Sequence, residues 1–246
     1  MDRLVYVAMS GAKEIMRAQA ANNNNLANVS TVGFRADMSA FQTQNVVGAG
    51  LPSRAYATND STGWDSSSGQ LQSTGRSLDV AVRGQGWLAV QAPDGTEAYT
   101  RAGDLHVDAS GVLMTATNDP VLGDSGAITV PPYSSITIGN DGSVSIVPQG
   151  QGPATVSTIG RIKLVNPPQS NLVRGGDGLF RTADGSTASA DASVQLVPGA
   201  LESSNVNIAE TMVNMIELAR NYEVQVKAIK TAEDDSASSA KLLQSS

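Results

Sequence analysis

Two stretches at opposite ends of this chain carry the period of a helix face, and the sequence between them carries neither that period nor its composition. Val5, Ala8, Ala12, Ile15, Gln19, Asn22, Leu26 and Val29 follow one another at intervals of 3, 4, 3, 4, 3, 4 and 3, which is one side of an α-helix. Ile208, Met212, Met215, Ala219, Tyr222, Val226 and Ile229 repeat the pattern at 4, 3, 4, 3, 4 and 3. Isolated helices in water are marginal even at about 15 residues, so each stripe needs a cover. The two can cover each other within one chain as a helix hairpin, or neighbouring subunits can cover them.

Local signals set the ends of these helices. Small residues at Ala8 and Ala12 permit close approach of a second helix, and polar Gln19 and Asn22 fall in the seam, where they set register at some cost in stability. The run Asn22-Asn23-Asn24-Asn25 is a poor helix interior. The helix therefore either stops there or is held by contacts outside itself. Asn28 to Phe34 reads as an exit turn, with Asn28 at a cap, Gly33 free to take positive φ, and Phe34 placed to tuck against the helix end. At the other end, Asn207 is an N-cap with Glu210 three residues on. Past Thr231, Glu233-Asp234-Asp235 and a run of serines weaken the helical signal.

Residues 35–65 scatter Phe41, Val46, Val47, Leu51, Tyr56 and Trp64 among polar residues, glycine and proline, as in an extended connector with one or two short strands. From 66 to 200 the pattern is that of strands and turns. Strands are expected at 78–82, 87–91, 98–101, 105–108, 111–114, 128–130, 136–138, 144–147, 160–165, 179–181 and 194–197. Asn140-Asp141-Gly142 marks a hairpin. Many short strands with glycine turns point to an all-β domain, sandwich-like or barrel-like in part. The expected fold class is mixed and mainly β.

Composition narrows the function classes. Acidic residues outnumber lysine plus arginine by 23 to 16, for a formal charge of -7, so no nucleic-acid partner is expected. Only 16% of residues are charged, and an uncharged polar surface suits burial in a large assembly. There is no cysteine, which removes disulfides and thiolate chemistry. The first residues lack a basic stretch followed by an apolar run, so no cleaved signal peptide is expected. No apolar run reaches the length of a transmembrane span.

No arrangement of residues points to catalysis. His106 is the sole histidine; Asp104 and Asp108 share its strand face by parity, and a solvated strand face is preferred there to a cation site. Asp177, Asp184 and Asp191 are turn formers in a Gly/Ser-rich region. Gly84-Gln85-Gly86 lacks the third glycine and the following helix of a nucleotide fingerprint. Neither a phosphate-cradling loop nor a nucleophile elbow occurs. The expectation is no catalytic, cofactor-binding or metal-ligating residue, and no enzyme. Trp64, Trp87 and Tyr99 leave a carbohydrate-binding β module as a minor alternative.

Three blocks resemble the bacterial flagellar rod and hook axial protein family. They are Asn25-Leu26-Ala27-Asn28-Val29-Ser30-Thr31-Val32-Gly33-Phe34; Leu78-Asp79-Val80-Ala81-Val82-Arg83-Gly84-Gln85-Gly86-Trp87 with Tyr99-Thr100-Arg101-Ala102-Gly103-Asp104-Leu105; and Gly199-Ala200-Leu201-Glu202-Ser203-Ser204-Asn205-Val206-Asn207. The resemblance covers essentially the whole chain and favours the polymer over the hairpin. It implies a structural subunit of the basal-body rod, of the proximal part rather than the distal. Such a subunit is exported without signal cleavage by the flagellar type III apparatus. It assembles helically with itself and other rod proteins in the periplasmic space, around the export channel. The implied layout is an N-terminal helix over 1–34 pairing with a C-terminal helix over 201–246 as a coiled-coil-like inner tube. A connector over 35–65 and an outer β domain over 66–200 complete it. The implied assembly interface is Val5, Ala8, Ala12, Ile15, Leu26, Asn28, Gly33, Phe34, Ile208, Met212, Met215, Ala219, Tyr222, Val226 and Ile229.

Overall fold

Helix α1 runs Asp2–Ala27 and helix α2 runs Ile208–Gln244 in a computed structural model that describes residues 2–45, 55–152 and 154–244. The asparagine run does not end α1, because its side chains find partners beyond the helix. Asn22 Nδ2 donates to the Thr211 carbonyl at 2.9 Å, and Asn24 Nδ2 to the Asp37 carboxylate at 3.1 Å. Asn25 exchanges two bonds with the Asp37 backbone, at 2.7 and 2.9 Å. Asn28 then caps the helix C-terminus, donating through Nδ2 to the Asn24 carbonyl at 3.0 Å. Asn207 caps α2, its Oδ1 accepting from the Ala209 and Glu210 amides at 3.1 and 3.4 Å. The acidic and serine residues after Thr231 do not stop α2, which continues to Gln244.

The chain forms two compact units. The first comprises residues 1–29, 36–65 and 206–246. In it α1 and α2 lie antiparallel, since Asn22 meets Thr211 while Gly11 meets Gln225. The same unit holds a long hairpin, Asp37–Asn45 paired antiparallel with Ala55–Trp64, in place of one or two short strands. Its base closes with the Asp65 amide on the Ala36 carbonyl at 2.8 Å, and Trp64 is buried. Val46, Val47 and Leu51 lie outside the described residues.

The second unit is the β body, residues 66–205 together with the six-residue segment 30–35. Its main sheet has five antiparallel strands in the order Leu164–Val165, Trp87–Gln91, Glu97–Thr100, Phe180–Thr182 and Leu172–Arg174. A three-stranded sheet joins Tyr133–Ile138, Ser143–Pro148 and Ser157–Arg161. The expected Asn140-Asp141-Gly142 turn links the first two, with Gly142 at φ 84. Two-stranded pairs fill in around them, among them Val80–Arg83 with Gln195–Pro198 and Leu71–Ser73 with Ala200–Glu202.

The central strands are buried on both faces. Trp87, Leu88, Ala89 and Val90 are all buried, as are Val80, Ala81 and Val82, so these segments are apolar runs rather than half-buried alternations. Leu88, Val90 and Ala98 point into an aliphatic core with Leu105, Leu113 and Ile162. Trp87, Ala89, Tyr99 and Phe180 share the opposite face by pairing and parity, and the Trp87 and Phe180 rings meet at 4.5 Å. The expected strand at 128–130 reduces to a bridge between Val112 and Thr129, and the one at 160–165 splits into Ser157–Arg161 and Leu164–Val165.

Candidate functional site

The face that α1 turns inward is built from small side chains. Ala8, Gly11, Ala12, Ile15 and Ala18 are buried, with Val5 and Leu26 half-buried. Gly11 admits the Gln225 side chain, which would lie 3.2 Å from a Cβ there. On α2 the least exposed positions are Thr211, Met215, Leu218, Gln225, Ala228, Ile229 and Ala232. This stripe is rotated from the one the periodicity gives. Of the predicted residues, Met215 and Ile229 are half-buried, while Ile208, Met212, Ala219, Tyr222 and Val226 stay exposed.

A pair of helices joined through alanine and glycine buries little apolar area, and much of what remains faces water. Tyr6, Met9 and Met16 on α1, and Met212, Val213, Ile216 and Val224 on α2, are each at least half exposed. Between the helices Met9, Ala12, Met16, Tyr222 and Ile229 line an open groove of about 450 Å³, with Lys13 and Arg17 on its rim. Tyr6, Met9, Met16, Val213, Ile216 and Val224 were not among the expected interface residues. An apolar side chain off the main stripe is the signal that points to them.

Phe34 and Gly33 belong to the second unit. Both are buried, in the segment grouped with the β body. Gly33 has φ 69, and a Cβ on it would sit 2.3 Å from the Arg101 carbonyl carbon, so backbone meets backbone there. The Gly33 amide donates to the Glu202 carbonyl at 2.8 Å, and the Asn205 amide to the Phe34 carbonyl at 3.3 Å. Next in sequence, Arg35 is 1% exposed. Its guanidinium meets Glu202 Oε1 at 2.7 Å, while Arg101 meets Glu202 Oε2 at 2.8 Å. Glu202 Oε1 also accepts from the Gly69 amide at 2.9 Å. Arg35 Nη1 donates to the Ser67 carbonyl, and Asn205 Nδ2 donates to the same oxygen at 3.0 Å. The places where the chain enters and leaves the body thus gather around one buried carboxylate. As charges in a sequence, Arg35, Arg101 and Glu202 carry no signal of this.

The other candidate chemistry is dispersed. His106 and Asp108 are half-exposed or less on a strand and its turn, and among the described residues no cluster of three or more His, Asp or Glu is arranged to hold a metal ion. Asp177 pairs with Arg181 at 2.7 Å, and Asp184 and Asp191 accept from Ser186 and Ser193 in tight turns. Trp64, Trp87 and Tyr99 are buried at 8%, 4% and 1% exposure, so these three do not form an aromatic platform for a sugar.

The terminal helices thus keep exposed apolar side chains, and in the β body Asp177, Asp184 and Asp191 serve turns and an ion pair. Residues 81–146 match the family described as flagellar hook protein FlgE/F/G D1 domain, and residues 197–242 match the flagellar basal body rod FlgEFG protein C-terminal family. The chain is 42% identical to flagellar basal-body rod protein FlgF of Salmonella typhimurium strain LT2 and 41% identical to FlgF of Escherichia coli strain K12, in each case over 100% of both chains. It is 33% identical to flagellar basal-body rod protein FlgG of Bacillus subtilis strain 168, over 95% of this chain and 96% of that one. The chain belongs to the flagellar basal-body rod protein family. Among the relatives named here it is most like FlgF. No helix among the described residues is long and apolar enough to cross a membrane.

Proposed function

We propose that this chain is a non-enzymatic structural subunit of the proximal flagellar rod, assembling helically into the shaft that transmits motor torque and surrounds the export channel. The observation that carries this reading is the helix pair, which leaves Met9, Met16, Met212, Val213, Ile216 and Val224 at least half exposed. Burial of each by a neighbour is worth roughly 1 kcal/mol, and an exposed stripe of this kind is the usual mark of an interaction face. Val5, Ala8, Ala12, Ile15 and Leu26 with Met215 and Ile229 serve the pairing inside one subunit. Ile208, Met212, Ala219, Tyr222 and Val226 serve contacts between subunits, including coiled-coil-like packing in an inner tube. Asn28, Gly33 and Phe34 fix the exit of α1. The β body forms the outer layer, and the partners are further copies and other rod proteins. Open helical assembly of this kind needs heterologous contacts between subunits rather than a closed two-fold interface.

Export through the type III apparatus without signal cleavage, and residence of the rod in the periplasmic space, complete the proposal. They rest on likeness to the rod proteins. The distal rod is the second reading; identity of 41–42% to FlgF against 33% to FlgG favours the proximal one. Deleting residues 1–30 or 206–246 is expected to abolish incorporation into isolated basal bodies while the β body keeps its near-ultraviolet circular dichroism. Incorporation of both truncated chains at the full-length level would end the proposal. Immunogold position along the basal body separates proximal from distal.

A further inference from the structure

One segment of the β body belongs to none of its sheets. Residues 30–35 are grouped with the body, but no strand of theirs joins a ladder. Their backbone is tied by the Gly33–Glu202 and Phe34–Asn205 bonds and by Arg174 Nη1, which donates to the Arg35 carbonyl at 3.0 Å. The anchors are two side chains. Phe34 is buried beneath the Arg174 guanidinium, 4.2 Å from ring centroid to charge. Arg35 reaches the carboxylate of Glu202, itself 1% exposed.

Glu202 is the one acid between two buried guanidiniums, each of which also donates to a carbonyl of the body, Arg35 to Ser67 and Arg101 to Gly84. Arg101 is held independently by the body: its Nη2 donates to the Gly84 carbonyl at 2.6 Å, and its guanidinium lies 5.4 Å from the Trp87 ring centroid. Arg35 arrives from outside the sheets. With the carboxylate in place, its charge is neutralised where water is absent. Without the carboxylate, two like charges would share a dry site, and Arg35 is the one carried on a segment outside the sheets.

We infer that residues 30–35 form a separately opening latch on the β body, with Glu202 as its keystone. The aliphatic core lies on the far side of the main sheet and includes none of these residues. Opening the latch therefore breaks the backbone bonds of 30–35, the Phe34–Arg174 contact and the bonds of Arg35 to Glu202 and Ser67, while the sheets stay paired. Segments held by few backbone bonds outside any ladder open at low cost relative to the global transition. The latch also closes late. Arg35 and Glu202 are separated by most of the chain, whereas the hairpins of the body pair over short loops that cost less entropy to close. In a chain made from its N-terminus, residues 30–35 stay free until Ala200–Glu202 has paired with Leu71–Ser73.

Hydrogen exchange on the full-length chain tests this, with mass-spectrometric readout for the unaltered protein, Glu202→Gln and Phe34→Ala. The unaltered protein is expected to protect peptides spanning 30–35. Both variants are expected to lose at least tenfold of that protection, while peptides covering Trp87–Gln91 and Ser143–Pro148 exchange as before. Trypsin is expected to cut after Arg35 in the variants and not in the unaltered chain. Phe34→Ala leaves no buried charge unpaired, so it decides by the same criteria should Glu202→Gln fail to fold. Unchanged protection of 30–35 would overturn the latch, and so would loss of protection in the strands together with 30–35. The measurement is made on the free subunit, so its outcome is separate from that of the incorporation assay.

Discussion

The guanidinium of Arg174 covers the ring of Phe34 at 4.2 Å and, through Nη1, binds the carbonyl of Arg35 at 3.0 Å. One side chain thus seals two consecutive residues of the exit from α1 into the β body. Arg174 also stands 5.9 Å from the Phe180 ring, so it bridges Phe34 to the aromatic face of the main sheet. Replacing Arg174 with alanine removes the cation–π contact and one hydrogen bond, and is expected to cost about 1–2 kcal/mol. Lysine keeps the charge but not the flat guanidinium, and is expected to recover less than half of that. Denaturant midpoints of the two variants, followed by tryptophan fluorescence, check the order.

Gly33 and Gly95 both have positive φ, at 69 and 83, but only Gly33 is crowded. A Cβ at Gly95 meets nothing within 4 Å, so Gly95→Ala bears only the conformational cost, roughly 1–2 kcal/mol. Gly33→Ala must in addition move the Arg101 backbone, and is expected to cost at least twice as much. Equal losses at the two sites would show that the space around Gly33 is not filled as described.

Five exposed turns repeat one device. Asp94, Asp108, Asp141, Asp184 and Asp191 each accept from the hydroxyl and the amide of the Thr or Ser two residues on. The hydroxyl bond is the largest cause holding each carboxyl below its ordinary value. Groups that bind protons less readily when folded contribute stability above the unfolded value near pH 4 and lose it as pH falls through their folded values. The body is therefore expected to weaken below about pH 4. Asp108→Asn with Asp141→Asn is expected to flatten that decline, in thermal melts between neutral pH and pH 2.5.

Asp104 behaves in the opposite sense. Burial pushes its carboxyl up, and the nearby charge of Asp79 adds to the rise. Ionised Asp104 thus costs stability at neutral pH, a cost that disappears as pH falls below the unfolded value. Asp104→Asn is expected to raise the melting temperature at pH 7 and leave it unchanged near pH 3. A lower melting temperature at pH 7 would count against the assignment.

Periodicity carried α1 and the start of α2, because a helix face is written in neighbours three and four residues apart. The asparagine run of α1 resisted reading because its partners, Asp37 and Thr211, come from other elements. The inward stripe of α2 is offset because Gly11 and the Asn22 bond set how the helices meet, and neither is visible in the spacing of α2 alone. Strands such as Leu71–Ser73 and Leu172–Arg174 are three residues long, too short for alternation to register. The Arg35–Glu202–Arg101 contact depends on closure across most of the chain, and each residue by itself resembles a surface charge. The exit turn was legible, since Gly33 does take positive φ, but its destination was not.

Ser67 and Asn205 touch, with Asn205 Nδ2 3.0 Å from the Ser67 carbonyl, although the rest of the body lies between them in sequence. The stretch 66–205 is therefore an insertion with its two ends side by side. Its contour length is invisible from outside: strands can be added to it or lost from it without lengthening the gap that the remaining chain must bridge. Changes in the length of the body therefore need not disturb the helices, provided Arg101, Arg174 and Glu202 still hold residues 34–35.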